Sequence, residues 1–371
     1  MTESQLSPPP RIPVFAFVPD ADVEDALRAA IERVLSSRHY VLGREVDAFE
    51  HAFAAYCGTR HCVGVANGTD ALELGLRALG IGRGARVATV ANAGYYTCTA
   101  LDAIGALPVF VDVDATLTMS SDALARVVAD VDAVVVTHLY GRLAAIETLS
   151  EVAARHGKPL VEDCAQAHGA ARDARRAGSF GTLGCFSFYP TKNLGALGDG
   201  GAIVTSDDTI AETLRQLRQY GWGRKYDVTR TGGRNSRLDE LQAAVLHAKL
   251  PRLDTWNAQR RAIAARYRSG LDVCGILLPD AHAGADVAHL FVVRHPARDA
   301  LRSTLASSGI GSEVHYPIPD HRQRVRTDPA PALPMTEAAC AQVLTLPCFP
   351  GLAASDADRV VAAVRDFVAH A

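Results

Sequence analysis

Residues 186–195, FSFYPTKNLG, are the stretch around which the rest of the chain is organised. Lys192 stands there among small, aromatic and turn-forming residues, with no acidic side chain beside it. For any single lysine, a solvated position in a surface loop is the ordinary alternative. A second stretch, residues 161–170 with the sequence VEDCAQAHGA, argues against this, because the apolar run that leads into it predicts a buried strand. Asp163 would then lie at the carboxyl end of that strand, where open α/β sheets bind their ligands.

A strand-end aspartate followed by a loop lysine is the pair that pyridoxal 5'-phosphate (PLP) needs. The lysine amine forms a Schiff base with the aldehyde, and the carboxylate pairs with the pyridinium nitrogen. This pairing keeps the ring protonated, so that it accepts the electrons released when a Cα–H bond breaks. The pair therefore predicts a PLP site in which Lys192 is the catalytic residue and Asp163 binds the cofactor.

A third stretch, residues 67–72 with the sequence NGTDAL, joins a predicted strand to the start of a predicted helix. Glycine lets the backbone approach a ligand closely, and the amides at the positive end of a helix attract an anion. We interpret Gly68 and Thr69 as the residues that hold the PLP phosphate. A plain helix N-cap is the alternative, since Asn and Thr are common there. The presence of Lys192 and Asp163 favours the phosphate.

Predicted strands and helices alternate along the first two thirds of the chain, which indicates an α/β fold with a largely parallel sheet covered by helices on both faces. One long helix is predicted from Leu238 to about Tyr267. After about residue 250 the composition changes, and a smaller α+β unit is predicted. We expect a flexible N-terminal tail at residues 1–11. A large PLP-binding α/β domain follows at residues 12–249, and a small C-terminal domain at residues 250–371.

The composition is ordinary for a globular protein, with 48% hydrophobic residues, 21% charged residues and a net charge of -3. This charge gives no reason to expect a nucleic acid partner or binding to a membrane surface. No window approaches the ~18 apolar residues of a membrane span. The eight cysteines form no CxxC pair, so we expect reduced, packed thiols, a cytoplasmic location and no metal site.

These stretches resemble the sugar-nucleotide aminotransferases of the DegT/DnrJ/EryC1/StrS family, a branch of the fold-type I PLP enzymes. The resemblance covers nearly the whole chain from about Ile12. Residues 189–201, YPTKNLGALGDGG, look most like members that aminate C3 of a dTDP-linked keto-deoxyhexose. The resemblance implies L-glutamate as amino donor, 2-oxoglutarate as its product and pyridoxamine 5'-phosphate as the intermediate form of the cofactor. It also implies a homodimer with active sites shared across the interface.

The resemblance also assigns further cofactor contacts. Ser187 matches the family's second phosphate ligand, and Gln166 matches the residue beside the phenolic oxygen of PLP. Asn235 matches the asparagine that such enzymes send across the dimer interface to the phosphate of the neighbouring chain. A role for Asn235 as N-cap of the helix that follows is the alternative, and both roles are compatible.

One segment departs from the family pattern. Relatives stack an aromatic side chain on the pyridine ring, but residues 91–97, ANAGYYT, place Gly94 opposite that position. We interpret Tyr96 as the residue that supplies the ring face, with Tyr95 as the alternative.

For the substrate, Tyr189, His315 and Tyr316 match positions that contact the hexose or its pyrophosphate in the C3 branch. A structural role for His315 is an equal alternative. The arginines within residues 224–237 are candidates for binding the diphosphate, since the guanidinium fork suits phosphate oxygens.

Several functions remain as alternatives to a C3 aminotransferase. A C4-specific sugar-nucleotide aminotransferase would use the same cofactor chemistry. A regulatory protein that binds PLP without turnover would keep the same fold. A PLP-dependent sugar dehydratase is disfavoured because those relatives replace the lysine found at Lys192. A dehydrogenase is remote, because the glycine-rich residues 80–84 follow a predicted helix and form no dinucleotide fingerprint. The sugar configuration and the nucleotide are left open.

Overall fold

The computed structural model of the chain describes residues 12–18, 20–272, 275–278, 286–327 and 329–370. The flexible tail predicted at residues 1–11 lies outside the described residues. Among the helices of the described ranges, none combines the length and the hydrophobicity that a membrane crossing requires.

The helices follow the apolar periodicity of the sequence. In the first helix the buried residues Val23, Leu27, Ala30 and Val34 recur every three or four positions, which places them on one face. The helices are α1 (Ala21–Ser37), α2 (Arg44–Cys57), α3 (Gly68–Ala78), α4 (Tyr96–Ile104), α5 (Ser121–Ala125), α6 (Ile146–Arg155), α7 (Asp208–Leu217), α8 (Glu240–Lys249), α9 (Leu253–Gly270), α10 (Arg298–Ser307), α11 (Pro334–Gln342) and α12 (Ala354–His370), with 3-10 turns at Val128–Asp130, Leu139–Gly141, Leu250–Arg252 and Asp320–Arg322.

The strands are short and rich in valine and other apolar residues. They are β1 (His61–Val65), β2 (Arg86–Val90), β3 (Leu107–Val111), β4 (Ala133–Thr137), β5 (Leu160–Asp163), β6 (Ala171–Arg172), β7 (Arg175–Arg176), β8 (Leu183–Ser187), β9 (Gly201–Thr205), β10 (Trp222–Arg224), β11 (Asp227–Val228), β12 (Phe291–Arg294) and β13 (Val343–Leu346).

One seven-stranded sheet, with strand order β1-β9-β8-β5-β4-β2-β3, forms the centre of the fold. Strands β8, β5, β4, β2 and β3 are parallel, whereas β9 is antiparallel to both of its neighbours. The predicted α/β fold with a large, mostly parallel sheet is therefore confirmed. Because β9 is antiparallel to β1 and to β8, these two strands point in the same direction. The carboxyl ends of β1, β4, β5 and β8 consequently meet at one edge of the sheet.

Strand β4 shows how helices cover both faces of this sheet. Ala133 and Val135 belong to a hydrophobic cluster that includes residues of α3, α4 and α7. Val134 and Val136 belong to a cluster that includes residues of α5 and α6. Successive side chains of a strand point to opposite faces, so β4 is buried on both of them, as is typical of parallel sheets.

A separate hydrophobic cluster lies in the C-terminal part of the chain. The antiparallel pair β12–β13 packs there with α9, α10 and α12, and Tyr267, Leu301 and Val360 are fully buried. Ile12, from the start of the described chain, joins the same cluster. The division into domains at residue 250 stays a prediction.

The sequence predicted one long helix from Leu238 to about Tyr267, and this is wrong in detail. Helix α8 begins at Glu240, and the 3-10 turn Leu250–Arg252 separates it from α9. Pro251 accounts for the interruption, because proline has no amide hydrogen to donate and its ring collides with the carbonyl four residues earlier.

Candidate active site

A cavity of about 830 Å³ lies at the edge of the sheet where the carboxyl ends of β1, β4, β5 and β8 meet. Its walls combine the loops that follow these strands with residues from the C-terminal part of the chain. Every predicted site residue except Asn235 lines it. These lining residues are Gly68, Thr69, Tyr96, Asp163, Gln166, Ser187, Tyr189, Lys192, His315 and Tyr316.

Asp163 is the last residue of β5, and its carboxylate lines the cavity. The amide of Ala165 donates to Oδ1 at 3.1 Å, and the hydroxyl of Thr137, at the end of β4, lies 3.5 Å from Oδ2. Burial raises the pKa of Asp163, although the bond from Ala165 and the charge of Lys192 counteract part of the rise. The carboxylate is therefore placed where a cation within the cavity would stabilise its ionised form.

Three possible metal ligands lie within 4.8 Å of one another, on the side chains of Glu162, His138 and Cys164. The Glu162 carboxylate accepts hydrogen bonds of 2.6 to 2.8 Å from three amides in residues 178–181. It also lies 2.9 Å from Nε2 of His138, whose Nδ1 accepts a bond of 3.2 Å from the amide of Ala144. The cluster is thus a buried hydrogen-bond network that holds residues 178–181 in place. Its carboxylate and imidazole are already engaged in these hydrogen bonds.

Lys192 lies in a tight turn, where its amide donates to the carbonyl of Tyr189 at 2.8 Å. Burial lowers the pKa of Lys192 to about 8, and the charge of Asp163 limits this change. A neutral amine is therefore accessible near neutral pH, as a nucleophile and proton carrier requires. The next residue, Asn193, is buried and fixes the turn through its side-chain hydrogen bonds to Asn257 and to the carbonyl of Val287.

The start of α3 lies next to Ser187. Asn67 caps the helix, since its Oδ1 accepts a bond of 2.8 Å from the amide of Asp70. The N-cap role considered in the sequence thus belongs to Asn67, and it leaves Gly68 and Thr69 in the first turn, at the positive end of the helix. A Cβ at Gly68 would stand 2.6 Å from the Cβ of Ser187, so glycine is required for this close approach.

Gln166 is held at both ends of its side-chain amide. Its Oε1 accepts from the amide of Tyr140 at 2.7 Å, and its Nε2 donates to the hydroxyl of Tyr316 at 3.2 Å. The hydroxyl of Tyr140 donates in turn to the carbonyl of His315. These bonds fix the loop after β4 against the segment that carries His315 and Tyr316.

His315 has partners on both ring nitrogens. Nδ1 lies 2.8 Å from the hydroxyl of Thr345, and Nε2 lies 3.3 Å from the carboxylate of Glu313. Burial lowers the pKa of His315, and Glu313 counteracts part of this effect. The position suits both the structural role and the substrate contact considered above. The substrate roles of His315, Tyr189 and Tyr316 stay predictions.

Of the two tyrosines considered for the cofactor ring, Tyr96 lines the cavity. Its ring meets that of Tyr316 edge-on, with centroids 5.9 Å apart. The hydroxyl of Tyr95 instead donates to Asp102 at 3.0 Å, and the guanidinium of Arg326 lies 5.2 Å from its ring. The placement favours Tyr96 over Tyr95 as the stacking residue, which stays a prediction.

Asn235 does not line the cavity of its own chain. It is exposed and pairs with Gln219 in an isolated β-bridge. The alternative that Asn235 caps the following helix is wrong, because α8 begins at Glu240 with Asp239 in the N-cap position. The predicted contact with a second chain stays a prediction.

The arginines proposed for the diphosphate also lie outside the lining of this cavity. Arg234 donates two hydrogen bonds, of 2.9 and 2.8 Å, to the buried carboxylate of Glu73 in α3. Arg224 faces Asp227 at 3.6 Å, and Arg230 donates to Gln216. Arg234 is therefore committed to an ion pair that anchors its loop on α3.

The charge of the cavity lining is unbalanced. Among the described residues that form it, Lys192 is the only lysine or arginine. The acidic residues of the lining are Asp70, Asp163, Asp199 and Glu313.

The sequence profile of the DegT/DnrJ/EryC1/StrS aminotransferase family matches residues 21–365 of the chain. The chain belongs to this family. Both the predicted family and the predicted use of PLP by an aminotransferase are confirmed.

Proteins that are similar to this aminotransferase align with almost its whole length. A dTDP-3-amino-3,4,6-trideoxy-alpha-D-glucose transaminase from Micromonospora megalomicea subsp. nigra is 46% identical over 359 residues, which are 94% of this chain and 95% of the relative. The erythromycin biosynthesis sensory transduction protein EryC1 from Saccharopolyspora erythraea is 45% identical and covers 93% of this chain and 95% of its own. The crystal structure of S. venezuelae DesV in complex with a ketimine intermediate has a TM-score of 0.91 and 44% identity, covering 96% of this chain and 98% of that chain.

The described residues of this aminotransferase fit PLP. The cavity offers an amine at Lys192, a carboxylate at Asp163 and the first turn of α3, which are the groups that suit the aldehyde, the ring nitrogen and the phosphate. The Gly68–Ser187 contact adds a close approach that a Cβ would block.

The sequence assigned no role to His289, which lines the cavity, or to Asp320, which supports α4 from outside the lining. His289 lines the cavity just before β12, and a histidine at the start of an apolar run was the available signal. Asp320 accepts a bond of 2.9 Å from the amide of Tyr95 and so holds the start of α4. Burial raises the pKa of Asp320 to about 7. Asp320 begins the 3-10 turn Asp320–Arg322, which is too short for a periodicity that would mark a residue as buried.

Proposed function

We propose that this aminotransferase moves the amino group of L-glutamate to the C3 keto group of a dTDP-linked keto-deoxyhexose. The products are a dTDP-3-amino-deoxysugar and 2-oxoglutarate. The observation that carries the proposal is that Lys192, Asp163 and the first turn of α3 border one cavity. The relative from M. megalomicea, which is named for a 3-amino sugar, supports C3 as the position aminated.

Bound PLP supplies an electron sink for the Cα–H bond of the donor. Lys192 takes the Cα proton of the donor on Nζ and later releases it, acting as general base and then as general acid. A pKa of about 8 suits both tasks, because amine and ammonium are both accessible near neutral pH. The tight turn and the buried Asn193 keep the backbone of Lys192 in place while the proton moves.

Asp163 holds the proton of the cofactor ring nitrogen. Burial destabilises the ionised form of the Asp163 carboxylate. A cationic N–H group beside the carboxylate therefore stabilises it more than a water molecule would. Ala165 and Thr137 orient the carboxylate from the backbone and from the neighbouring strand. Gly68, Thr69 and Ser187 would bind the phosphate of PLP, and Gln166 would contact its phenolic oxygen.

Tyr189, His315 and Tyr316 contact the hexose or its pyrophosphate. Tyr189 is 52% exposed, so its phenol is open to a large substrate. Tyr316 is fixed by Gln166, and His315 by Thr345, so both present a constant surface to the sugar.

The charges of the cavity support a homodimer with shared active sites. L-glutamate has two carboxylates and the sugar nucleotide has a diphosphate, yet the lining holds four acidic residues and one lysine. We infer that a second copy of the chain supplies the additional cations. The exposed segment around β10 and β11 carries Arg224, Lys225 and Arg230 in the same loop as Asn235, together with the largely exposed Tyr226.

The experiment is a mass-spectrometric assay of the purified protein with PLP, L-glutamate and a panel of 3-keto and 4-keto dTDP-deoxyhexoses. The proposal predicts amination of the 3-keto sugars and none with the Lys192→Ala variant. Amination of 4-keto sugars alone would indicate the C4-specific alternative. If L-glutamate neither changes the PLP absorbance nor yields a product, the chain is a regulatory protein without turnover.

The domain division at residue 250 and the cytoplasmic location belong to the same proposal. The separate hydrophobic cluster around β12 and β13 supports a C-terminal unit with its own core. Buried, free cysteines such as Cys57, Cys164 and Cys185 support a reducing compartment.

A further inference from the structure

His289 borders the same cavity as Lys192, and the sequence assigned it no role. It lies just before β12 and is 6% exposed. Its backbone is fixed, because the guanidinium of Arg260 donates to its carbonyl at 3.1 Å. A Cβ at Gly141 would stand 2.6 Å from its amide nitrogen, so the loop after β4 also packs closely against it.

The protonation of the His289 ring follows from the two asparagines beside it. Nδ2 of Asn193 lies 3.2 Å from the carbonyl of Val287, and a carbonyl oxygen can only accept a hydrogen bond. Nδ2 of Asn257 lies 2.8 Å from the carbonyl of His168 for the same reason, which leaves Oδ1 of Asn257 to accept from Asn193. The orientation of both amides is therefore determined by backbone carbonyls.

Oδ1 of Asn193 consequently faces His289, at 2.8 Å from Nδ1. Because that oxygen can only accept, Nδ1 of His289 must carry the hydrogen. Burial keeps the imidazole neutral by lowering its pKa well below the usual value, and the charges of Lys192, Arg260, His168 and His315 act in the same direction. Nε2 is then unprotonated and is the ring nitrogen left for a donor in the cavity.

We propose that His289 is a positioning residue whose Nε2 accepts a hydrogen bond from the amine of Lys192 when that amine is free of the cofactor and the lysine stem turns towards it. In this structure both side chains border the cavity and the bond itself is not formed. The lysine stem has four flexible carbons, and a fixed acceptor limits the directions in which its lone pair can point. His289 thereby keeps the amine directed at the Cα proton. It gains and loses no proton itself. The inference rests on the proposed function of Lys192 and extends it to a second residue.

Two variants separate this role from a structural one. In His289→Asn the amide reaches the position of Nδ1, so the contact with Asn193 is kept and the acceptor at Nε2 is lost. In His289→Gln the amide reaches the position of Nε2, so the acceptor is kept and the contact with Asn193 is lost. If the role of His289 is purely structural, His289→Asn should react faster than His289→Gln. If His289 positions Lys192, His289→Gln should react faster than His289→Asn.

The first measurement is the single-turnover rate with L-glutamate, followed by PLP absorbance, with and without deuterium at Cα. We expect His289→Asn to be slowed about 10- to 100-fold with a larger isotope effect, and His289→Gln to stay within about threefold of the unmodified chain. The reverse order of the two variants would overturn the proposal.

The second measurement needs neither PLP nor substrate, so it stays informative even if the proposed function fails. The pH dependence of Lys192 modification by trinitrobenzenesulfonate, mapped by peptide mass spectrometry, reports the pKa of the lysine in the cofactor-free chain. An acceptor stabilises the ammonium form, so His289→Asn should lower this pKa relative to the unmodified chain and His289→Gln should preserve it. An unchanged pKa in His289→Asn would contradict the proposal.

If His289→Asn does not fold, the proposal can be tested by nitrogen NMR of the histidine-labelled protein, in which His289 is unchanged. The resonance of Nε2 should shift when Lys192→Met removes its donor, while the resonance of Nδ1 stays in place. An Nε2 resonance that does not respond to Lys192→Met would overturn the proposal.

Discussion

The backbone of Gly94 packs directly against the ring of Tyr316. A Cβ at position 94 would stand 2.8 Å from Cε1 of that ring, and the φ of +81° at Gly94 favours glycine. The family resemblance predicts an aromatic side chain at the position of Gly94. In this chain Tyr316 occupies the space beside Gly94, which explains why a large residue is absent there.

Replacing Gly94 with alanine should therefore displace Tyr316 and weaken its bond to Gln166. We expect Gly94→Ala to lower kcat/KM for the sugar nucleotide about 10-fold while PLP still binds. Gly157→Ala is the matched control, because Gly157 has a φ of +63° but no neighbouring atom within 4 Å. Equal effects of the two substitutions in steady-state assays would mean that backbone strain, and not the contact with Tyr316, is responsible.

The contact between Gly68 and Ser187 predicts a defect in cofactor binding. In Gly68→Ala the new Cβ would meet Ser187 at 2.6 Å, so the first turn of α3 must move away from the phosphate position. We expect the Kd for PLP, measured by titration of the cofactor-free protein, to rise about 10-fold or more. Gly82→Ala, where no atom lies within 4 Å and the φ is unremarkable, should leave the Kd unchanged. An unaltered Kd in Gly68→Ala would place the phosphate elsewhere.

Because the pKa of Lys192 is lowered, we expect the difference in stability between Lys192→Met and the unmodified chain to depend on pH. Below about pH 8 the folded, cofactor-free chain holds a buried ammonium, which costs at most about 3 kcal/mol for a change from 10.5 to about 8. Between about pH 8 and pH 10.5 the unfolded chain binds more protons than the folded chain. The penalty therefore disappears as the pH rises through this range. Lys192→Met should be more stable than the unmodified chain at pH 7 and lose that advantage by pH 10.5, as measured by urea unfolding. A difference that grows with pH would contradict the burial of a charged lysine.

Shared active sites predict recovery of activity in mixed dimers. In a dimer of one Lys192→Ala chain and one Asn235→Ala chain, one site would carry both defects and the other would carry neither. An equal mixture of chains should regain about a quarter of full activity, since half of the dimers are mixed and each has one intact site. Mixing Lys192→Ala with Asp163→Asn is the control, because both residues line the cavity of one chain and each site keeps one defect. No recovery with Asn235→Ala would assign Asn235 to its own chain or to no site.

The sheet and most of the cofactor site could be predicted because they depend on local patterns. Apolar runs such as residues 159–161 identify buried strands, and strand direction then places Asp163 and Ser187 at one edge. The loop that carries Lys192 needs only the sequence around it. For the same reason, the glycine and threonine at the start of α3 were found without knowledge of the tertiary fold.

The remainder of the site depends on contacts between distant parts of the chain. The ion pair between Arg234 and Glu73 and the bonds between Asn193, Asn257 and His289 join segments far apart in sequence, and no spacing rule marks them. Arg234 therefore looked available for a diphosphate until its partner was known. The break between α8 and α9 is different, since Pro251 is visible in the sequence and marks the interruption locally.

Borohydride reduction of the PLP-loaded protein, followed by peptide mass spectrometry, tests most directly the claim that Lys192 carries the cofactor. The discriminating alternative is Lys249, whose pKa is also lowered to about 8 by burial and whose Nζ donates to the carbonyl of Gly195 in the same loop at 2.7 Å. We predict a pyridoxyl group on the peptide that contains Lys192. A pyridoxyl group on the peptide of Lys249, or on no peptide, would contradict the account.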